Sequence, residues 1–153
     1  MTDKTRVAKC CTPSKSLSIE QLALLPLCGI PAHRAVRTYG FPERGARALV
    51  LQAHDGIGAL AVQELVSLGV QVTAQVSPEL NRAEVKEHSG VSAKDRIIQF
   101  GAQKVIMYDP LTAVEVLEDN TYDLVIDTVG GREIWEACRR VLHNMGQVCY
   151  VYL

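Results

Sequence analysis

The stretch RALVLQAHDGIGALAVQELVSLG, residues 47–69, decides the fold of this chain. Residues 47–53 are mostly apolar and lack the polar alternation of a half-exposed strand, which predicts a strand buried on both faces. Residues 57–69 carry apolar side chains at helical spacing and end at Gly69, a common stop signal. A buried strand followed at once by a helix is typical of a parallel α/β sheet.

The rest of the chain repeats this alternation of strand and helix. Further strand patterns cover residues 70–76, 104–108, 122–131 with its closing glycine turn, and 146–153. Further helical patterns cover residues 77–90, 92–100, 110–119 and 132–144. Because parallel neighbours need crossover connections, this order predicts an α/β fold: a doubly wound parallel, Rossmann-like sheet of about five to six strands with helices on both faces.

Length and composition indicate one globular domain. The chain has 153 residues, of which 48% are hydrophobic and 22% charged, which suits a complete core. Residues 1–24 are polar with a late helical pattern, and we interpret them as a leader that docks on the sheet. Residues 25–153 then form the Rossmann-like nucleotide-binding domain.

Charge and hydropathy argue against several classes of partner. The net charge is −1 with acids and bases interspersed, so there is no basic stripe for nucleic acid or for an anionic membrane surface. No apolar run approaches the roughly 20 residues that span a bilayer, and the N-terminus lacks the apolar region of a signal peptide. We therefore expect an intracellular protein.

The five cysteines are odd in number, scattered and without a CxxC pair. This pattern argues against a disulfide framework and against a zinc site, and it favours a reducing compartment, the cytoplasm or the nucleus. None of the histidines has an acidic or cysteine partner at a telling spacing, so no bound metal is expected.

The predicted fold places a ligand site at the carboxyl ends of the strands, where the strand order reverses. In the glycine fingerprint of dinucleotide-binding folds, the first glycine makes a tight turn, the second admits the pyrophosphate, and the third lets the helix approach the strand. The corresponding positions here are Ala53, Asp55 and Gly58, with Gly56 as an additional glycine. Only the last of the three is a glycine.

Asp55 has two explanations on the sequence alone. Its carboxylate either repels the phosphates of a cofactor, or simply caps the following helix and accepts the N–H groups that phosphate would otherwise take. At an effective dielectric of about 20, a like charge at roughly 4 Å costs on the order of 4 kcal/mol. The residue therefore argues against tight dinucleotide binding.

The second strand ends at Ser77 instead of the acidic residue that would bind a ribose hydroxyl. NAD is therefore not favoured, and neither is a methyltransferase-like nucleotide site. Arg82 and Lys86 either meet a 2′-phosphate or belong to a solvated helix face. His54 either polarises a substrate or is a surface residue, and Trp135 fits a packing role better than a stacking one.

Four segments are ordered and spaced as in one known family: LSIEQLALLPLCGIPAHRAV (17–36), AHDGIGALAVQ (53–63), FGAQKVIMYD (100–109) and YDLVIDTVGG (122–131). Together they resemble the medium-chain dehydrogenase/reductase superfamily, especially its zinc-independent quinone oxidoreductase and enoyl reductase branch. The resemblance covers about residues 15–153. It implies a cofactor-binding domain alone, without the GroES-like catalytic domain that holds most of the family's catalytic-zinc ligands.

The resemblance implies NADPH as the cofactor and suggests contacts for its adenosine half. Gly56, Ile57 and Gly58 would face the pyrophosphate. Ser77 would lie near the adenosine ribose or its phosphate, and Tyr108 near the adenosine end.

Thr128 and Val129 of the segment DTVGG would lie near the nicotinamide, and the resemblance makes no residue of this chain catalytic. Two departures from the family pattern argue against these cofactor contacts. Asp55 replaces a position that is small in the family, and residues 77–103 are several residues longer than the usual connection. The position of Arg82 relative to a cofactor therefore does not follow from the family.

Two functions are compatible with the sequence. The first is the cofactor-binding domain of an NADPH-dependent reductase that passes hydride to a quinone or an activated C=C bond and needs a missing catalytic domain. The second is a degenerate, non-catalytic dehydrogenase-like domain that serves as a scaffold or interaction module in a larger protein. For the second, a protein partner or another copy would dock through a sheet edge, the leader or residues 79–100.

Overall fold

A computed structural model of the chain describes residues 17–79 and 91–151. Within them, five parallel strands form one sheet in the order β3-β2-β1-β4-β5. The strands are Arg47–Val50 (β1), Gln71–Gln75 (β2), Lys104–Ile106 (β3), Tyr122–Asp127 (β4) and Leu142–Tyr150 (β5). The predicted parallel Rossmann-like α/β class is confirmed.

Helices connect and flank these strands. A helical segment over residues 19–40, called the leading helix below, consists of α1 (Ile19–Leu24), a wider π-helical stretch (Leu25–Gly29), α2 (Ile30–His33) and a second π-helical stretch (Arg34–Gly40). The later helices are α3 (Gly56–Ser67), α4 (Ala93–Gln99), α5 (Pro110–Glu115) and α6 (Arg132–Val141). In the described parts of the chain, no helix combines the length and apolar character needed to cross a membrane.

The sheet is covered on both faces, as the uninterrupted apolar run of β1 predicts. Ala48 and Val50 pack into a cluster with the leading helix, α3 and α4. Leu49, from the opposite face of the same strand, packs into a second cluster with α5 and α6. Side chains alternate between the faces of a strand, so burial of consecutive residues requires helices on both sides.

The leading helix lies across residue 24, where the sequence predicts the leader to end. Periodicity alone did not predict helix over 25–40, because Pro26, Gly29 and Pro31 interrupt the pattern. Pro26 is the second residue of the first π-helical stretch and Pro31 is the second residue of α2, first-turn positions that do not require an N–H donor. The division into a leader and a domain remains a prediction.

Several predicted boundaries are wrong, and two have clear causes. β1 ends at Val50 instead of residue 53 because the chain reverses at Gln52, which has a left-handed φ of 47°. The helix predicted over 132–144 ends at Val141, since Leu142 is extended and pairs with Tyr122 of β4. His143 therefore lies in β5 and not in a helix.

The helix predicted over 92–100 is confirmed as α4, with Ser92 as its N-cap. The Ser92 hydroxyl accepts the N–H of Asp95 at 3.1 Å, the three-residue spacing that the sequence indicates. Most of the helix predicted over 77–90 lies outside the described residues. Arg82 and Lys86 lie there as well.

Candidate dinucleotide site

The candidate site lies where the strand order reverses, between the carboxyl ends of β1 and β4. Residues 51–55 follow β1 and residues 128–131 follow β4. The two turns touch, since the Thr128 hydroxyl donates a hydrogen bond to the Leu51 carbonyl at 3.0 Å. The two turns thus meet at the place where sheets of this kind bind ligands.

Gly58 is where α3 lies against the turn that follows β1. A Cβ atom at Gly58 would lie 2.8 Å from the Cα of Ala53, and that atom belongs to the backbone and cannot move aside easily. This is the close contact that the third glycine of the fingerprint allows. The glycine at this position therefore has the structural reason that the sequence predicts.

Gly56, the first residue of α3, lies against the leading helix. A Cβ atom there would lie 2.7 Å from the Sγ of Cys28. The half-buried Cys28 thiol therefore covers one side of the turn. Any ligand at this helix N-terminus must approach from the other side.

Asp55 caps α3, as one of the two sequence explanations predicts. Its backbone is extended, and its Oδ1 accepts the Gly58 N–H at 2.5 Å. Burial raises the pKa of the Asp55 carboxyl, and this outweighs the lowering by the Gly58 and Ile57 N–H groups, by His54 and by Thr128. A helix N-terminus is an anion site because of its unpaired N–H groups, and here the protein's own carboxylate already takes one of them.

Gln75, at the end of β2, is a buried residue that the sequence analysis missed. Its side chain is fully buried; Oε1 accepts the Gln52 N–H at 2.8 Å and Nε2 donates to the Tyr108 carbonyl at 2.7 Å. Its backbone carbonyl accepts the Ala53 N–H at 2.9 Å. One amide thus joins the ends of three strands beside the turn, and the only sequence signal was a polar residue inside a buried strand.

Asp127, the last residue of β4, was also missed. It is 1% exposed, and its Oδ1 accepts the N–H groups of Val129 and Gly130 at 2.8 and 2.9 Å. This is the Asx-turn chemistry that Asp supports two and three residues ahead. Asp127 therefore fixes the turn that carries Thr128 and Val129.

The structure brings most of the predicted site residues to one edge of the sheet. Ala53 and Ile57 are buried, so they shape the turn through the backbone. Ser77 lies near Gln75, with Oγ 3.5 Å from Nε2. Tyr108 is 49% exposed and follows β3.

Tertiary structure supplies histidine partners that local spacing did not reveal. His33 Nδ1 lies 2.9 Å from Glu64 Oε1, and His143 Nε2 lies 2.5 Å from Asp123 Oδ1. Trp135 is 39% exposed and packs on its own helix, with the Arg139 guanidinium 4.8 Å from its ring centroid. Within residues 17–79 and 91–151, no group of three or more His, Cys, Asp or Glu side chains could hold a metal ion.

Two features of the turn have opposite effects on dinucleotide binding. The backbone path, Gly58 and the start of α3 fit the loop that such folds place against pyrophosphate. The Asp55 carboxylate does not fit, because it holds the Gly58 N–H and adds a negative charge. The turn therefore has the close helix–strand contact of a dinucleotide loop, and its own Asp55 carboxylate competes with phosphate for the Gly58 N–H.

Comparisons with known proteins agree with this architecture. No protein-family profile matches the chain. Over 127 residues it is 32% identical to the mitochondrial NAD(P)H oxidoreductase RTN4IP1 of Mus musculus, covering 79% of this chain and 29% of that protein. The CurK enoyl reductase structure matches with a TM-score of 0.73 at 21% identity, covering 90% of this chain and 39% of that one.

A quinone oxidoreductase from Thermus thermophilus, whose structures include a complex with NADPH, matches with a TM-score of 0.65 at 23% identity. It covers 90% of this chain and 41% of that one. The class is therefore a doubly wound, oxidoreductase-like nucleotide-binding fold. More particularly, it is the fold of the medium-chain dehydrogenase/reductase superfamily. The chain matches only part of such a protein, since it spans less than a third of the length of the curated relatives.

Proposed function

We propose that this chain is the cofactor-binding part of an NADPH-dependent oxidoreductase and is not catalytic on its own. The observation that carries the proposal is the turn from β1 into α3, where Gly58 lets the helix start against the strand at the reversal of strand order. The named relatives, an NAD(P)H oxidoreductase and a quinone oxidoreductase solved with NADPH, support the cofactor. When bound, the cofactor would supply hydride to a quinone or an activated C=C bond.

The chain's own residues would bind and orient the cofactor. Backbone N–H groups of Gly56 and Ile57 would meet the pyrophosphate at the start of α3. Ser77 and Tyr108, both held near Gln75, would line the adenosine end. Arg82 is the proposed partner of a 2′-phosphate.

At the other end of the site, Thr128 and Val129 would face the nicotinamide. Asp127 holds their turn through two backbone N–H groups. No residue of the chain is assigned to proton or hydride transfer. The reaction would therefore require groups from a larger protein.

A second function is favoured by the Asp55 contact. A carboxylate that takes the Gly58 N–H at 2.5 Å is the feature expected of a degenerate domain, retained as a scaffold or an interaction module. In that function the turn is a helix cap and nothing more. The two functions predict opposite results for cofactor binding.

Calorimetric titration of the purified protein with NADPH and with NADH tests the proposal. We expect NADPH to bind with a dissociation constant below about 100 μM and more tightly than NADH. Absence of heat at two temperatures with millimolar NADPH would reject the cofactor-binding function and leave the scaffold.

Asp55→Gly and Asp55→Asn resolve the role of the carboxylate, with Asp109→Asn as the control. Asp109 caps α5 in the same way but lies outside the turn. Removing the Asp55 charge should tighten NADPH binding by about tenfold or more, while Asp109→Asn should leave it unchanged. If Asp55→Gly also ignores NADPH, the site is closed for a reason other than charge.

We further propose a reducing intracellular compartment, and a protein partner or second copy in place of nucleic acid or membrane. The compartment rests on the cysteines: Cys138 and Cys149 are buried as free thiols. An unpaired β5 or β3 edge among the described strands is one surface for a partner.

A further inference from the structure

A side chain of α4 reaches the turn that joins β1 to α3, called the β1–α3 turn below and formed by residues 51–55. Nη2 of Arg96 donates to the backbone carbonyl of His54 at 3.3 Å, in a partly buried contact between residues 42 positions apart. No local pattern identifies Arg96, because its partner is a distant backbone carbonyl. The contact ties α4 to the turn of the candidate site.

The peptide group between His54 and Asp55 is held at both of its polar atoms. Its oxygen accepts the Arg96 donor, and its nitrogen, the Asp55 N–H, donates to the Gln52 carbonyl at 3.1 Å. A peptide group is planar, so fixing its two ends fixes the dihedral angles on either side of it. One of these is φ of Asp55, which is −75° in the extended conformation of the helix cap.

The orientation of this peptide group determines where α3 begins to point. Asp55 is the cap, and Gly56 and Ile57 are the first two residues of the helix. Their N–H groups lie in the first turn, where a helix has no internal acceptors and binds anions. A contact that fixes the residue before the helix therefore also directs the donors available to a ligand.

Arg96 extends from a firmly packed helix. Ala93 and Ile97, on either side of it along α4, are fully buried in the cluster with the leading helix and α3. The guanidinium carries five N–H donors, and Arg96 makes further interactions within the chain. One donor is sufficient for the His54 carbonyl, so the contact with the turn does not require the others.

We propose that Arg96 is a positioning residue of the candidate site, which fixes the peptide group before Asp55 and so directs the first N–H groups of α3 toward the pyrophosphate of a dinucleotide. The ligand in this inference rests on the proposed function. Because pyrophosphate is common to NADPH and NADH, a residue that positions the turn affects both cofactors equally. A direct contact with the 2′-phosphate would affect NADPH alone.

Amide hydrogen exchange of the full chain, measured residue by residue by NMR, tests the positioning without a ligand. Arg96→Met keeps most of the apolar stem and removes the donor. Exchange of the Asp55 N–H should become about tenfold faster, since hydrogen bonds from charged donors contribute at least this much. Lys104→Met removes the same charge from an exposed position at the start of β3 and should leave this exchange unchanged.

Calorimetric titration of the same proteins with NADPH and with NADH tests the consequence for binding. Arg96→Met should weaken both cofactors by about tenfold and leave the ratio of their affinities unchanged. Lys104→Met should bind both cofactors as the wild type does. If the wild type binds neither cofactor, the proposed function fails, and amide exchange still decides whether Arg96 holds the turn.

Three outcomes would overturn the inference. Unchanged exchange at Asp55 in Arg96→Met would show that the turn keeps its conformation without the contact. Equal acceleration at Asp55 and in the central strands β1 and β4 would show that Arg96 supports the fold as a whole. Weaker binding of NADPH alone would make Arg96 a contact of the 2′-phosphate instead of a positioning residue.

Discussion

The side-chain amide of Gln75 accepts the backbone N–H of Gln52 at 2.8 Å, across the ends of two neighbouring strands. Gln52 is the residue with left-handed φ at which the chain turns from β1 toward α3. The same amide donates to the Tyr108 carbonyl at 2.7 Å. A fully buried amide with both ends satisfied holds the three turns of the candidate site together.

Replacing Gln75 should therefore destabilise the fold. Gln75→Met keeps the length of the side chain but leaves the Gln52 N–H and the Tyr108 carbonyl unpaired, at an expected cost of about 2–4 kcal/mol in the free energy of unfolding. Urea denaturation followed by circular dichroism measures it. Gln63→Met, at an exposed site on α3, is the matched control and should change stability by less than about 0.5 kcal/mol.

Asp55 and Asp109 should give stability opposite dependences on pH. Both cap helices, but the pKa of Asp55 is raised and that of Asp109 is lowered. Burial raises the pKa of Asp55 in the folded state, so its ionisation is harder there than in the unfolded chain. The Thr112 side chain and backbone N–H lower the pKa of Asp109, so its ionisation is easier in the folded state.

The signs follow from linkage. As pH rises from the ordinary value of 3.8 through the raised folded pKa, the wild type should lose stability relative to Asp55→Asn. As pH falls from 3.8 through the lowered folded pKa, it should lose stability relative to Asp109→Asn. Urea unfolding between about pH 2.5 and 7 measures both differences, and parallel curves for the two variants would contradict the assignment.

Local sequence was sufficient for some of this site. The cap at Asp55 acts three residues along the chain, and the approach of α3 to β1 follows from a buried strand, a turn and Gly58. Such features depend on few neighbours, so the residue types carry them. The order of strands and helices was predictable for the same reason.

Other parts of the site depend on distant residues. Gln75 gives no local signal until the chain brings Gln52 and Tyr108, 23 and 33 residues away, to its two ends. His33 pairs with Glu64, 31 residues away. One sequence shows no signal for such pairs, because their spacing is set by the tertiary fold.

The two glycines of the turn should respond differently to alanine. Gly→Ala within a helix normally stabilises by about 1 kcal/mol, but here an added Cβ meets an obstacle. Gly58→Ala should cost about 3 kcal/mol, because the Cβ would press on the Ala53 backbone. Gly56→Ala should cost about 1–2 kcal/mol, because the obstacle is the Cys28 side chain.

Double-mutant cycles distinguish the two causes. Cys28→Ala removes the Sγ atom and should recover most of the loss in Gly56→Ala, but none of the loss in Gly58→Ala. Thermal denaturation of the single variants and of each glycine variant combined with Cys28→Ala gives the two couplings. Equal rescue of both glycine variants would show that Cys28 acts on the helix as a whole.

A fourth prediction concerns the contribution of Arg140 to stability. This residue lies on the far side of the sheet from α3. Its guanidinium donates to the Val114 and Glu115 carbonyls at 2.8 and 3.1 Å, in the last turn of α5, and to the Leu117 carbonyl at 3.1 Å, just beyond the helix. Arg140→Ala should lower the free energy of unfolding by about 2 kcal/mol, and Arg140→Lys by nearly as much, because an ammonium cannot reproduce the planar fork.

Two controls isolate the capping contribution of Arg140. Asp119→Asn removes only the charge of its ion-pair partner and should cost about 0.5 kcal/mol. Arg132→Ala, which breaks an exposed pair with Glu136 one turn along α6, should be nearly neutral. If Asp119→Asn destabilised the protein as much as Arg140→Ala in urea unfolding, the ion pair and not the carbonyl cap would be the source of stability. If Lys were fully equivalent to Arg, the planar geometry would be irrelevant. We expect otherwise because the guanidinium reaches three carbonyls at and just beyond the end of α5.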